Sequence, residues 1–241
     1  MPPELSVLIP ALNEARTIRG VVDRVLALPL DLQVIVVDDG STDETPAILA
    51  EYGDRITVLR NERPGGKGNA IRKALPATEG RVSIVQDADL EYRPEEIPAL
   101  VRPILDGKAG VVFGTRFAEG YPKGMALPNK IVNWLLALSV RALFRQRLTD
   151  EATCYKAVRT DLLQGMDLQC ERFEFCPEVT AKAIRSGETI LEVPISYAPR
   201  SKSEGKKIRW TDAPEAFTTL WRYRNWNRAQ SPARVVAIEG E

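Results

Sequence analysis

The sequence predicts an α/β protein with a mostly parallel sheet flanked by helices, and two observations carry that expectation. Short apolar runs rich in β-branched residues alternate with segments of helical period, which implies strand–helix–strand units joined by right-handed crossovers. Two of these runs, Val34-Ile35-Val36-Val37 and Val82-Ser83-Ile84-Val85-Gln86, pass directly into carboxylates, Asp38-Asp39 and Asp87-Ala88-Asp89. Ligands of open α/β sheets bind outside the carboxyl ends of the strands, so both acidic pairs fall where a ligand belongs.

The elements follow in order. Residues 5–9 form a buried strand closed by Pro10, and Asn13-Glu14 precede a helix whose apolar face is Ile18, Val21, Val22 and Val25-Leu26. After the second strand, Ser41-Thr42-Asp43-Glu44 offers capping groups to a helix with Ile48 and Leu49, and residues 56–59 make a third strand. Gly65-Gly66-Lys67-Gly68-Asn69 leads into a helix over residues 70–75, residues 82–86 are the fourth strand, and Val111-Val112-Phe113 the fifth, ending in Gly114-Thr115-Arg116. The rhythm then breaks at a loop rich in Gly, Pro and Lys, residues 120–129. Residues 131–138 (IVNWLLAL) are too short for the roughly 20 apolar residues of a membrane span, and read either as a core helix or as one lying on a membrane surface or hydrophobic acceptor. A helix over residues 177–186, Gly187 and a last strand over residues 189–195 complete the pattern, and only about the last ten residues look loosely held.

Composition narrows the chemistry. At 241 residues the chain can bury one full core, and 33 basic against 33 acidic residues leave no global field for nucleic acid. With no histidine at all, proton transfer and metal binding fall mainly to carboxylates. Cys154, Cys170 and Cys176 form no Cys-x-x-Cys pair and are odd in number, which fits a reducing compartment without a disulfide framework or zinc site. The first residues lack a signal-peptide pattern, so a cytoplasmic protein is expected.

Paired acidic strand ends suit Mg²⁺ or Mn²⁺ shared between Asp87, Asp89 and substrate phosphates, and so suggest a nucleotide-sugar site. Gly65-Gly66-Lys67-Gly68 would let backbone approach a ligand, with Lys67 and Arg72 reaching diphosphate or base. The segment lacks the Lys-Ser/Thr ending of a P-loop, and no Gly-x-Gly-x-x-Gly opens the first helix, so nucleotide-hydrolase and dinucleotide-oxidoreductase readings recede. Asn13 and Glu14 have a helix-cap alternative, and Asp43 reads as a charge at a helix N-terminus.

Taken together, Ile9-Pro10-Ala11-Leu12-Asn13-Glu14, Asp38-Asp39-Gly40-Ser41-Thr42-Asp43, Gly66-Lys67-Gly68-Asn69-Ala70, Asp87-Ala88-Asp89 and Gly114-Thr115-Arg116-Phe117 resemble the ordered motifs of family 2 inverting glycosyltransferases with the GT-A fold. The likeness runs from residue 5 to about residue 210. The segment Thr149-Asp150-Glu151-Ala152-Thr153-Cys154-Tyr155-Lys156, and Glu192-Val193-Pro194-Ile195 followed by Arg200, are similar to the dolichyl- or polyprenyl-phosphate hexose synthase branch. The resemblance implies a nucleotide-sugar-binding half (residues 1–116), an acceptor-binding half (117–210) and a C-terminal basic and aromatic helix and tail (211–241).

Residue by residue, the resemblance assigns Pro10, Ala11, Asn13, Glu14, Asp38 and Asp39 to the nucleoside. Gly66, Lys67, Arg72 and Ala88 go with the donor, and Asp89 is the more direct metal ligand, with Asp87 toward ribose or metal. Arg200, Lys202 and Lys206, in the loop after the last strand, are candidate clamps on the diphosphate; a solvated basic loop is the alternative. Arg116 would meet an acceptor phosphate, and Asp150 is the candidate base, acceptor-orienting carboxylate or turn cap. The second arginine that polyprenyl-phosphate mannosyltransferases carry after the Gly-Met segment is missing, and Lys130 stands as its candidate replacement. Trp221, Tyr223 and Trp226, interleaved with Arg222, Arg224 and Arg228, suit either a membrane interface or a docked terminal helix. The implied activity is transfer of a hexose from a nucleotide diphosphate sugar to polyprenyl phosphate at the inner membrane face. Transfer to a soluble hydroxyl, a nucleotidyltransferase and a non-catalytic nucleotide-sugar-binding subunit are the alternatives, and self-association stays open.

Overall fold

The apolar runs become the centre of one sheet. The computed structural model describes residues 1–122, 125–198 and 213–227. Among these, the strands are β1 (Leu5–Ala11), β2 (Leu32–Asp38), β3 (Thr57–Arg60), β4 (Val82–Val85), β5 (Val111–Thr115), β6 (Lys156–Arg159) and β7 (Ile190–Pro194), in the order β3-β2-β1-β4-β6-β5-β7. The helices are α1 (Ile18–Leu26), α2 (Thr45–Ala50), α3 (Lys67–Ala74), α4 (Ile97–Leu105), α5 (Leu127–Phe144), α6 (Thr160–Gln164), α7 (Phe175–Arg185) and α8 (Ala213–Tyr223). The mostly parallel sheet with flanking helices is the architecture expected from the sequence, held in a single domain.

Register explains the position of the site. β1 is hydrogen-bonded in parallel to both β2 and β4, with Ala11 opposite Asp38 and Leu8 opposite Val85. The carboxyl ends of β1, β2 and β4 therefore emerge side by side, and the acidic residues that follow β2 and β4 meet at one edge. Burial on both faces explains why β1, β2 and β4 read as mostly apolar runs, in which the buried Ser6 and Ser83 are hydrogen-bonded to Gln33 and Thr160.

Strand β6 was not anticipated. It lies antiparallel between β4 and β5, and begins with Lys156, a charge that breaks the apolar signature of a central strand. Lys156 is buried, donates to the Glu151 carbonyl oxygen (2.8 Å) and the Thr180 hydroxyl (3.1 Å), and covers the Phe113 ring. Such compensation comes from sequence-distant partners and leaves no local pattern. Because β6 and β7 come from the second half of the chain, both halves share one sheet.

Helix α5 extends the expected apolar segment in both directions and packs on the core through one face only. Asn133, Leu136 and Val140 are buried, whereas Leu127, Ile131, Trp134, Leu135 and Leu138 are exposed. No helix among the described residues is long and apolar enough to cross a membrane.

Candidate functional site

A cavity of about 380 Å³ opens where the strand ends converge. From the end of β1, Pro10, Ala11, Leu12 and Glu14 line it; from the end of β4, Asp87, Ala88 and Asp89. Asn13 does not. Its backbone is left-handed (φ 54°), its N–H donates to Ser41 Oγ (2.9 Å) and its Oδ1 accepts from Thr42 N (2.9 Å). It therefore ties the β1 loop to the β2 loop, a correction to its assignment as a ligand contact.

Two aspartates divide their work at the end of β2. Asp38 is buried behind the cavity lining, and its Oδ1 accepts from Ser41 N (2.9 Å). Arg60 Nε lies 3.2 Å from its Oδ2 but off the hydrogen-bonding direction, so Oδ2 has no hydrogen-bond partner among the described residues. Asp39 lines the cavity but spends both oxygens on the chain. Oδ1 accepts from Asn61 Nδ2 (2.6 Å) and Gly65 N (2.9 Å), and Oδ2 from Gly66 N (2.8 Å).

The glycine segment serves a different neighbour from the one expected. Gly68 N and Asn69 N, at the start of α3, donate to the carbonyls of Arg172 and Glu171 (both 2.9 Å), so those amides are not left for phosphate. A Cβ on Gly66 would stand 2.5 Å from Glu171 O, and one on Gly68 would stand 2.8 Å from the Cys170 backbone. The close approach is chain to chain, and it brings Arg172 and Phe173 into the cavity wall. Lys67 also lines the cavity, ion-paired to Asp87 and 3.1 Å from Cys154 Sγ. Burial alone would lower the Lys67 pKa, but Asp87 and the nearby thiols outweigh it and hold the ammonium charged. Arg72 does not line the cavity.

Arg116 lines the same cavity with its side chain only 9% exposed. Its Nε and one terminal nitrogen each sit 2.6 Å from the two oxygens of Asp150, and its backbone N–H donates to the same carboxylate (3.0 Å). The Phe117 and Tyr197 rings flank the guanidinium, at 5.3 and 5.0 Å. Desolvation opposes the charge, and Asp150 outweighs it, so the Arg116 pKa stays well above its ordinary value. Asp150 itself is 0% exposed and does not reach the cavity, which corrects its reading as a base: a general base must come within hydrogen-bond reach of its proton, directly or through one water. Lys130 packs over the Tyr121 ring (5.5 Å) outside the cavity, while Asn129, Val132 and Asn133 of α5 line it. Arg200, Lys202 and Lys206 lie outside the described residues.

Several lining residues carried no sequence signal of their own. Glu91 and Tyr92 lie two and three residues after Asp89 and were within reach of a motif reading; Tyr197, which donates to Glu91 Oε2 (2.8 Å), and Phe173 come from sequence-distant loops. As a metal site, the cavity offers oxygen donors only. Among the described residues no cluster of three or more His, Cys, Asp or Glu could hold an ion, so a cation on Asp87 and Asp89 would complete its shell with phosphate oxygens and water, as Mg²⁺ and Mn²⁺ do.

Comparison with known proteins supplies the family. The chain is 26% identical over 238 residues to dolichol-phosphate mannosyltransferase of Pyrococcus furiosus, covering 92% of this chain and 64% of that protein. It is 29% identical over 222 residues to polyprenol monophosphomannose synthase of Mycolicibacterium smegmatis, covering 84% and 82%. Several curated relatives are longer, and the chain spans 35% to 64% of the length of three of them. Among solved structures, glucosyl-3-phosphoglycerate synthase of Mycobacterium tuberculosis in complex with Mn²⁺, UDP-glucose and phosphoglyceric acid superposes with a TM-score of 0.70 at 26% identity, over 92% of this chain and 80% of that one. Residues 6–165 match the model of glycosyl transferase family 2, and with two acidic strand ends meeting at one cavity the chain belongs to that family.

Proposed function

We propose that the protein transfers a hexose, with inversion, from a nucleotide diphosphate sugar to a polyprenyl phosphate. The observation that carries this is at the acceptor end of the cavity, where a guanidinium, Arg116, is presented and Asp150 is consumed in holding it. A hydroxyl acceptor needs a base to remove its proton, whereas a phosphate arrives already anionic and needs a cation to receive it. Relatives named for dolichol phosphate and polyprenol support the same acceptor.

The donor nucleoside lies against Pro10, Ala11 and Glu14, while Asp38, buried behind that wall with Oδ1 on Ser41 N, shapes the wall without reaching the base. Asp89 and Asp87 would hold the divalent cation, Mg²⁺ or Mn²⁺, whose chemistry is to neutralise the charge that develops on the departing diphosphate. Lys67 fixes Asp87 in place and adds positive charge to the same wall. Residues 1–116 thus form the donor half, with Arg116 at its end turned to the acceptor, and residues 117–210 the acceptor half. The exposed apolar face of α5, with Trp221, Arg222 and Arg224 of the region beyond residue 210, rests on the anionic cytoplasmic membrane surface.

A soluble acceptor is the second reading, favoured by the phosphoglyceric acid in the M. tuberculosis complex. The deciding experiment screens UDP-, GDP- and TDP-sugars with Mn²⁺ against a short-chain polyprenyl phosphate and a panel of soluble sugars. The glycolipid should form, and Asp89→Ala or chelator should abolish it. Product on a soluble hydroxyl alone, or full turnover in chelator, overturns the proposal.

A further inference from the structure

Arg116 owes its orientation to Asp150, and Asp150 sits in a turn whose own placement requires an account. The turn approaches the cavity from β7, β5 and α5 at once. Thr149 Oγ1 is 2.7 Å from Thr115 Oγ1 in β5, and Asn133 of α5 donates to the Thr149 carbonyl oxygen (3.1 Å). The largest share comes from one carboxylate in β7, Glu192. Its oxygens accept from Thr149 N (2.9 Å to each), from the Thr149 hydroxyl (2.9 Å) and from Asp150 N (3.0 Å). Glu192 does not line the cavity.

We infer that Glu192 is a positioning residue for the acceptor arginine, acting through the Thr149–Asp150 turn, so that three successive layers, Glu192, Asp150 and Arg116, set where an acceptor anion binds. The inference rests on Arg116 being the acceptor cation. Its physical basis is that a carboxylate fits this place and a neutral isostere does not. Hydrogen bonds to an ionised acceptor are about twice as strong as neutral ones. Because Thr149 N is shared between both oxygens, either orientation of a glutamine amide would set an N–H donor against an N–H donor. Rotation of the turn would move the Asp150 oxygens away from the two guanidinium nitrogens they now meet at 2.6 Å. The bidentate fork is intolerant of such a shift, because its two parallel bonds fix both distance and plane.

The test separates this link from the acceptor assignment. Wild type, Glu192→Gln, Thr149→Ala, Arg116→Gln and Glu192→Gln/Arg116→Gln are compared for nucleotide diphosphate affinity with Mn²⁺, for kcat and KM with a short-chain polyprenyl phosphate, and for the Arg116 Nε–H resonance of ¹⁵N-labelled protein. Glu192→Gln should raise acceptor KM by about tenfold, the effect of roughly one lost charge-assisted interaction, with nucleotide affinity unchanged within about twofold. It should also lose the slowly exchanging Nε–H signal of the locked guanidinium. Thr149→Ala, which removes one donor and leaves the carboxylate in place, should act in the same direction and more weakly. The double variant should be no worse than Arg116→Gln alone, since both changes break one linkage. An Arg116 resonance unchanged in folded Glu192→Gln and Thr149→Ala, or effects of Glu192→Gln and Arg116→Gln that add, overturns the inference. Arg116→Gln with normal acceptor KM, alongside loss of the resonance in Glu192→Gln, upholds the positioning link and overturns the acceptor assignment instead.

Discussion

Gly66 carries a constraint that no side chain can meet: its φ is +91°, and its Cα faces the Glu171 carbonyl. Gly66→Ala should therefore cost about 2–4 kcal/mol in urea unfolding, combining left-handed strain with displacement of the segment that carries Arg172 and Phe173. Nucleotide affinity should fall with it; an unchanged midpoint would mean that segment is not docked as described. Glu151 offers a test in pH. It is fully buried, its Oε1 accepts from Thr180 (3.1 Å), and its Oε2 has no partner among the described residues. Burial raises its pKa, against the opposing pull of Lys156 and Thr180. The folded state thus holds this proton more tightly than the unfolded chain does. Its stability is greatest below the unfolded value of about 4.3 and is lost as pH rises from there through the raised value. Glu151→Gln should flatten that slope in a series of urea melts, and an identical slope in wild type and variant would contradict the reading.

At the scale of elements, the docking of α8 depends on a buried pair in α7. Lys182 and Glu178, each 1% exposed, are joined at 2.5 Å, and Glu178 also accepts from Gln169 N and Cys170 N (2.8 and 2.7 Å). The ammonium lies 4.3 Å from the Tyr223 ring centroid at the end of α8 and 5.5 Å from that of Trp226. These aromatics therefore pack on a cation within the fold, while Trp221 on the same helix stays 58% exposed. Removing one partner of a buried pair leaves the other charge uncompensated, so Lys182→Ala should cost about 3–5 kcal/mol and open α8 to limited proteolysis. Wild-type protection of α8 in that variant would show that its docking rests on α5 instead.

For the whole molecule, the question is what meets the outward face of α5. Leu127, Ile131, Trp134, Leu135 and Leu138 recur at helical spacing, all exposed, and the only charges from residue 126 to residue 149 are Lys130, Arg141, Arg145 and Arg147. Bound to vesicles containing phosphatidylserine, the protein should sediment at low salt and dissociate progressively as the Debye length shrinks to about 8 Å near 0.15 M. Trp134→Ser with Leu138→Ser should weaken sedimentation without loss of stability, since neither side chain is in the core. Equal binding to neutral vesicles would assign the contact to apolar burial alone, and no binding to either would remove the membrane from the proposal.

By itself the sequence determined the sheet's central strands, because strands buried on both faces are predominantly apolar, and it determined the place of the site, because Asp38-Asp39 and Asp87-Ala88-Asp89 end those runs. It also carried the identity of Arg116 as a site residue. Only the tertiary structure decided what each polar group does. Asn13 and Asp39 brace loops, Gly66 and Gly68 admit the backbone of residues 170–172, Asp150 holds Arg116, and β6 enters the sheet behind a buried lysine. A hydrophobic run announces itself locally because its period is set by its own backbone. The role of a carboxylate or a glycine is set by the partner that reaches it, and at this site those partners lie tens of residues away in the chain.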